Sequence, residues 1–78
     1  MPTILQHDGF RLFFFSNEGN EPRHVHVEHG DGAAKFWLEP VELASSTGMK
    51  PRDLKRARLL VMQERQQLKE RWDEHFGT

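Results

Sequence analysis

Cysteine is absent from the 78-residue chain, which excludes disulfide staples and thiolate metal sites. Any transition-metal site must therefore use histidine and carboxylates. Long apolar runs are also missing. No stretch approaches the roughly 20 residues of a membrane span, and no basic region followed by a hydrophobic segment marks the N-terminus as a signal. A soluble cytoplasmic protein with no membrane association is the expectation. Net charge is close to absent, at −1 with histidines neutral, which does not suit a general polyanion binder but leaves room for local patches. No internal repeat, low-complexity tract or linker divides the sequence. Seventy-eight residues suffice for one small core with a net stability of only a few kcal/mol, so a single domain over residues 1–78 is expected.

What is present is concentrated in Pro22 to Gly30, where three of the five histidines fall within six positions and alternate with valines. A period of two reads as a β-strand. Val25 and Val27 should point inward, and His24, His26 and Glu28 should share the opposite face, with neighbours about 6 to 7 Å apart.

Around this strand the sequence reads as a meander. Thr3 to Gln6 forms a first short strand, with Pro2 compatible with a sheet edge. Asp8-Gly9 is a turn. Phe10 to Phe15 is a central strand with Phe10, Leu12 and Phe14 on one face and Arg11, Phe13 and Phe15 on the other. Asn17 to Asn20 is a loop that returns the chain antiparallel into the histidine strand. Gly30-Asp31-Gly32 turns it again into Ala33 to Leu38, where Ala34, Phe36 and Leu38 alternate with Ala33, Lys35 and Trp37. After Pro40, Val41 to Leu43 gives an edge strand that ends before Ser45-Ser46-Thr47-Gly48.

Pro51 opens a helix, with Asp53 in its first turn and neither glycine nor proline until Gly77. Leu54, Ala57, Val61, Leu68 and Trp72 recur at helical spacing, with Leu60 and Phe76 widening the stripe. A single helix over about residues 51–76 would be about 39 Å long, so its C-terminal part is expected to project or to meet a partner.

Two features carry candidate chemistry. The His-x-His pair admits three readings. His24 and His26 can hold a metal with Glu28 or His29 as third ligand. Either imidazole can act as general acid or base on RNA, with Arg23 holding a phosphate. Or the strand is a solvent-facing or interface surface whose histidines hydrogen-bond structurally. The second feature is a basic helix start: Lys50, Arg52, Lys55, Arg56 and Arg58 stand against Asp53, while Glu70, Asp73 and Glu74 gather near the end. This runs against the helix macrodipole, at about 0.3 to 1 kcal/mol per exposed charge. Lys50, Arg52, Lys55 and Arg56 with Arg23 form a candidate site for an anion or an acidic partner, and a merely solvated basic face is the alternative.

The opening Met-Pro-Thr-Ile, the central Pro-Arg-His-Val-His-Val, the proline before the helix and the Leu68 to Trp72 spacing resemble the small prokaryotic family called domain of unknown function 4160. Members usually carry a second proline where this chain has Arg23. The resemblance covers nearly the whole chain and implies a short β-meander followed by a helix. It also implies a neighbouring gene for another small protein, in an arrangement like that of toxin and antitoxin modules. The expected fold is α+β: an antiparallel meander of four or five short strands, over about residues 3–45, covered by one long C-terminal helix. The leading functional expectation is a binding protein acting with a small cognate protein partner and no cofactor; RNA processing by His24 or His26 and His-based metal binding are the alternatives. Neither the partner nor the oligomeric state, a dimer included, follows from the sequence.

Overall fold

Alternating patterns of apolar and polar residues become five strands in a computed structural model that describes residues 3–77; the reading of Pro2 at a sheet edge lies outside the described residues. The strands are β1 (Thr3–His7), β2 (Phe10–Phe13), β3 (His24–His29), β4 (Gly32–Leu38) and β5 (Val41–Thr47). They pair antiparallel in chain order, so β3 is the middle strand. Asp8 and Gly9, with φ of 51° and 82°, make the β1–β2 turn, a position where an Asp-Gly pair adopts the left-handed conformation at low cost.

Register decides which face each side chain takes. Leu12 pairs with Val27 and Val27 with Ala34, while Val25 pairs with Phe36. These residues form one buried face. Phe13 pairs with His26 and His26 with Lys35, while His24 pairs with Trp37, so both imidazoles lie on the opposite face as the alternation requires. Phe14 leaves the ladder after β2 yet is fully buried.

Two helices cover the valine face: α1 (Pro51–Gln63) and α2 (Arg65–Phe76). The expected single helix is corrected here. The chain bends at Glu64, whose φ of −99° and ψ of 12° are not helical. A straight helix over these 26 residues would run about 39 Å. The whole molecule extends only 34 Å along its longest axis. Bending brings Leu68 and Trp72 onto the core, where they are 1 % and 2 % exposed, instead of leaving them projecting. The break disturbs little hydrogen bonding: Glu64 N–H still donates to the Leu60 carbonyl and Leu68 N–H to the Glu64 carbonyl, both at 2.9 Å. Arg65 fixes the new direction by donating from Nε to the Leu38 carbonyl at 2.8 Å. Gly77, at φ 72°, ends α2 in the left-handed conformation usual at helix ends.

The other correction is at β5, which runs on through Ser45-Ser46-Thr47 instead of stopping at Leu43. The pairing steps from Lys35↔Ser45 to Phe36↔Leu43, leaving Ala44 as the extra residue of a bulge. Small polar residues suit this edge because their side chains are exposed while their backbone extends the ladder.

Because α2 closes the core, Leu68→Ala should lose about 2 to 5 kcal/mol of unfolding free energy. Met62→Ala, at an exposed position of α1, should change it by about 0.5 kcal/mol or less. Urea titrations of both variants measure this, and equal, small effects would mean that α2 does not cover the sheet.

Candidate functional site

The outward face of β3 and the loop before it build a three-residue cluster. The loop from Phe14 to Arg23 is folded by short backbone bonds, Glu18 N–H to the Phe15 carbonyl at 3.4 Å and Glu21 N–H to the Glu18 carbonyl at 3.1 Å. Gly19 lies against α2: a Cβ there would stand 2.5 Å from Cδ1 of Phe76. This close approach carries the neighbouring Glu18 over β3. Its Oε1 lies 2.8 Å from His24 Nε2 and 2.7 Å from His26 Nε2. The His24 side chain is fully buried, and those of His26 and Glu18 are 16 % and 19 % exposed.

Aromatic rings wall the cluster. The Trp72 ring centroid is 4.8 Å and that of Trp37 5.5 Å from the His24 ring, and Phe15 and Phe13 lie 4.4 and 5.6 Å from the His26 ring. Water is largely excluded, so charges here interact more strongly than at the surface. Burial raises the Glu18 carboxyl pKa, but hydrogen bonds and charge from His24 and His26 outweigh it and hold the group below its ordinary 4.5. Burial lowers His26 below its ordinary 6.5, more than Glu18 raises it. Near neutral pH, Glu18 is a carboxylate and His26 a neutral imidazole that donates Nε2–H to it.

His24 presents a harder balance. Its Nδ1 is 2.9 Å from the Pro22 carbonyl, which only accepts, so Nδ1 carries a proton and donates. A neutral ring has no second N–H for the Glu18 oxygen facing Nε2. The tautomer fixed by the Pro22 carbonyl thus turns the Nε2 lone pair of His24 toward the Glu18 oxygen.

The other sequence candidates go elsewhere. Glu28 shares the outward face but pairs with Arg11. His29 stacks on Phe10 at 4.2 Å, with Nδ1 donating to the Gly9 carbonyl at 3.2 Å and Nε2 3.9 Å from Asp53 at the start of α1. Arg23 is held by Asp73 through two hydrogen bonds of 2.8 and 2.9 Å and by Glu39 at 2.9 Å, so its guanidinium faces carboxylates and not an open phosphate position. Lys50, Arg52, Lys55 and Arg56 are all exposed at the start of α1, toward the His29 end of β3 and away from His24. They do not form one patch. Arg56 turns back over Phe10, 5.3 Å from the ring, and lies 3.9 Å from Asp53. Lys55 and Arg58 instead flank a groove between α1 and β5.

The residue missed in the sequence is Glu18. Nothing local marks it, since an acid in a turn is ordinary; only the antiparallel return of β2 to β3 brings the loop above the histidines.

A family model described as Domain of unknown function (DUF4160) matches residues 9–73. The chain belongs to this family. No curated protein and no solved structure matches it. The family match spans the loop, the histidine strand and most of α2, and therefore the entire cluster. Among the described residues, no helix is long and apolar enough to cross a membrane.

The pKa directions fix the sign of a pH effect. A neutral His26 in the fold means the unfolded chain takes up its proton first, so stability is lost as pH falls through about 6.5. Glu18, depressed in the fold, adds a loss in the same direction at lower pH as it protonates. Thermal melts with a chelator present should therefore show Tm falling steadily from pH 7 to 4. The His26 ring resonances should titrate with a midpoint below 6.5, and lower still in Glu18→Gln. A midpoint above 6.5 in the parent would contradict the burial argument.

Proposed function

We propose that the chain is a small cytoplasmic binding module of a prokaryotic two-gene system of the toxin and antitoxin type, which grips an acidic segment of a cognate protein partner. The carrying observation is the outer face of α1 beside the β5 edge. Arg52, Lys55, Leu59 and Met62 follow at spacings of three, four and three residues, one stripe on the side away from the core. Leu59 and Met62 are 55 % and 52 % exposed, and Leu43 of β5, beside Lys55 and Arg58, is 44 % exposed. Among the described residues, Arg52, Lys55 and Arg58 have no carboxylate partner. Between α1 and β5 lies a groove of about 200 Å³ lined by Phe36, Leu43, Leu54, Lys55 and Arg58. Among the described residues β5 pairs only with β4, so its outer edge offers free backbone groups to an added strand. Apolar anchors ringed by uncompensated cations favour an acidic, amphipathic segment over a nucleic acid.

The test mixes the purified chain with the product of the adjacent gene and measures binding by calorimetry at low and high salt. Lys55→Glu with Arg58→Glu should weaken binding about tenfold or more at low salt and less at high salt. Leu59→Ser should weaken it at both. Unchanged affinity in both variants, or salt-dependent binding of RNA in place of the protein, would overturn this reading.

A second reading retains one specific observation, the 2.7 Å pairing of a part-exposed His26 with a carboxylate, which suits a general acid or base acting on RNA. It lacks its expected phosphate contact, because Arg23 is engaged by Asp73 and Glu39. His26→Gln decides. A lost RNA-cleaving activity of about 10² to 10⁴ in rate with intact binding would support the enzyme.

A further inference from the structure

We infer that Glu18, His24 and His26 form a binding site for a divalent transition-metal ion, with Zn²⁺ the best match to the donor set. One ligand atom from each of the three lies within 4.8 Å of the other two. Two imidazole nitrogens and one carboxylate oxygen suit a three-ligand zinc centre with a fourth position open.

The hydrogen bond from His24 Nδ1 to the Pro22 carbonyl is the decisive feature. It fixes the tautomer, so that the neutral ring directs the Nε2 lone pair at the Glu18 oxygen 2.8 Å away. Two acceptors facing each other across a contact whose histidine is fully buried are unfavourable, and a metal between them satisfies both. A histidine that donates its other N–H to a backbone carbonyl is also the usual outer-shell arrangement of a metal ligand.

The separations fit with small movement. Ligand atoms on a tetrahedral zinc with bonds near 2.05 Å stand about 3.3 Å apart. Glu18 Oε1 is 2.8 and 2.7 Å from the two nitrogens, so an outward shift of about half an ångström is needed. Glu18 stands on a loop and can make that shift, and the two imidazole nitrogens, within 4.8 Å of one another, close toward the same spacing by side-chain rotation. The nearby cation Lys35 is already neutralised by Glu21 at 2.8 Å.

The experiment titrates the untagged, chelator-treated full chain with ZnCl₂ by calorimetry and follows the histidine ring resonances by NMR. The expected result is one saturable site, with shifts at His24 and His26 but not at the exposed His7 and His75. Glu18→Gln and His26→Gln should each weaken binding beyond the roughly 10-fold to 100-fold of an outer-shell contact, while His7→Asn should bind as the parent. Circular dichroism confirms that each variant is folded, and should Glu18→Gln fail, His26→Gln and the parent's resonances decide. No saturable binding up to about 1 mM Zn²⁺, or binding unchanged in the folded variants, would overturn the inference.

Discussion

Trp72 stands 5.3 Å from the ring of Phe14 and 4.8 Å from that of His24, and through these contacts the last helix is tied to both the end of β2 and the start of β3. Most of the architecture follows from that tie. To bring Trp72 there, the helical region has to bend at Glu64; once it has bent, Asp73 meets Arg23 and Phe76 meets Gly19. The Gly19 contact in turn sets the height of Glu18 above the strand. Closing the apolar core and assembling the polar cluster are thus one event in space.

The sheet was legible because its information is local. Alternation in Phe10 to Phe13 and in His24 to Glu28 assigns each residue to a face, and register carries that assignment across β2, β3 and β4, although the strand expected to reach Phe15 ends at Phe13. The bend at Glu64 was not legible, since no glycine or proline marks it and the backbone bonds on either side persist. Its cause lies in the sheet, which is too small for a straight helix. β5 was cut short for a related reason: Ser45-Ser46-Thr47 is turn-like in isolation and becomes strand through a partner that the bulge at Ala44 brings back into register. In the candidate site, His24 and His26 were legible and Glu18 was not, because its role depends on a loop's position rather than on spacing.

The charge distribution reads differently once the helix is two helices. Acids near the end of a helix oppose its dipole, yet Asp73 is held by Arg23, and Glu74 stands near Arg71. Tertiary pairing accounts for Asp73 better than the dipole does. At the start of α1, Asp53 is the favourable charge and is nearly buried, with His29 and Arg56 each 3.9 Å away. Arg52, Lys55 and Arg58 receive no such account from within the fold. An external acidic surface would supply it under the proposed reading, with Leu59 and Met62 on the same stripe as apolar contacts.

A buried polar cluster is a liability in a domain of this size. Two imidazoles and a carboxylate share a single oxygen, and His24 is sealed from water between Trp37 and Trp72. Apolar side chains of similar volume would often be neutral or more stable in such a place, by about 1 to 4 kcal/mol for a buried ion pair. A domain with only a few kcal/mol of net stability has little margin for that difference. Specificity of packing does not require the cluster, because the face behind it already interlocks Leu12, Val25, Val27 and Phe36. Polar groups placed against the stability of their own fold, and leaving a demand for positive charge at one atom, are the pattern of a site that binds something. The stripe of α1 proposed for a partner starts at the His29 end of β3 and runs to Met62 beside Val41 on the side of the helix away from the core, whereas the cluster lies on the outward face of the sheet.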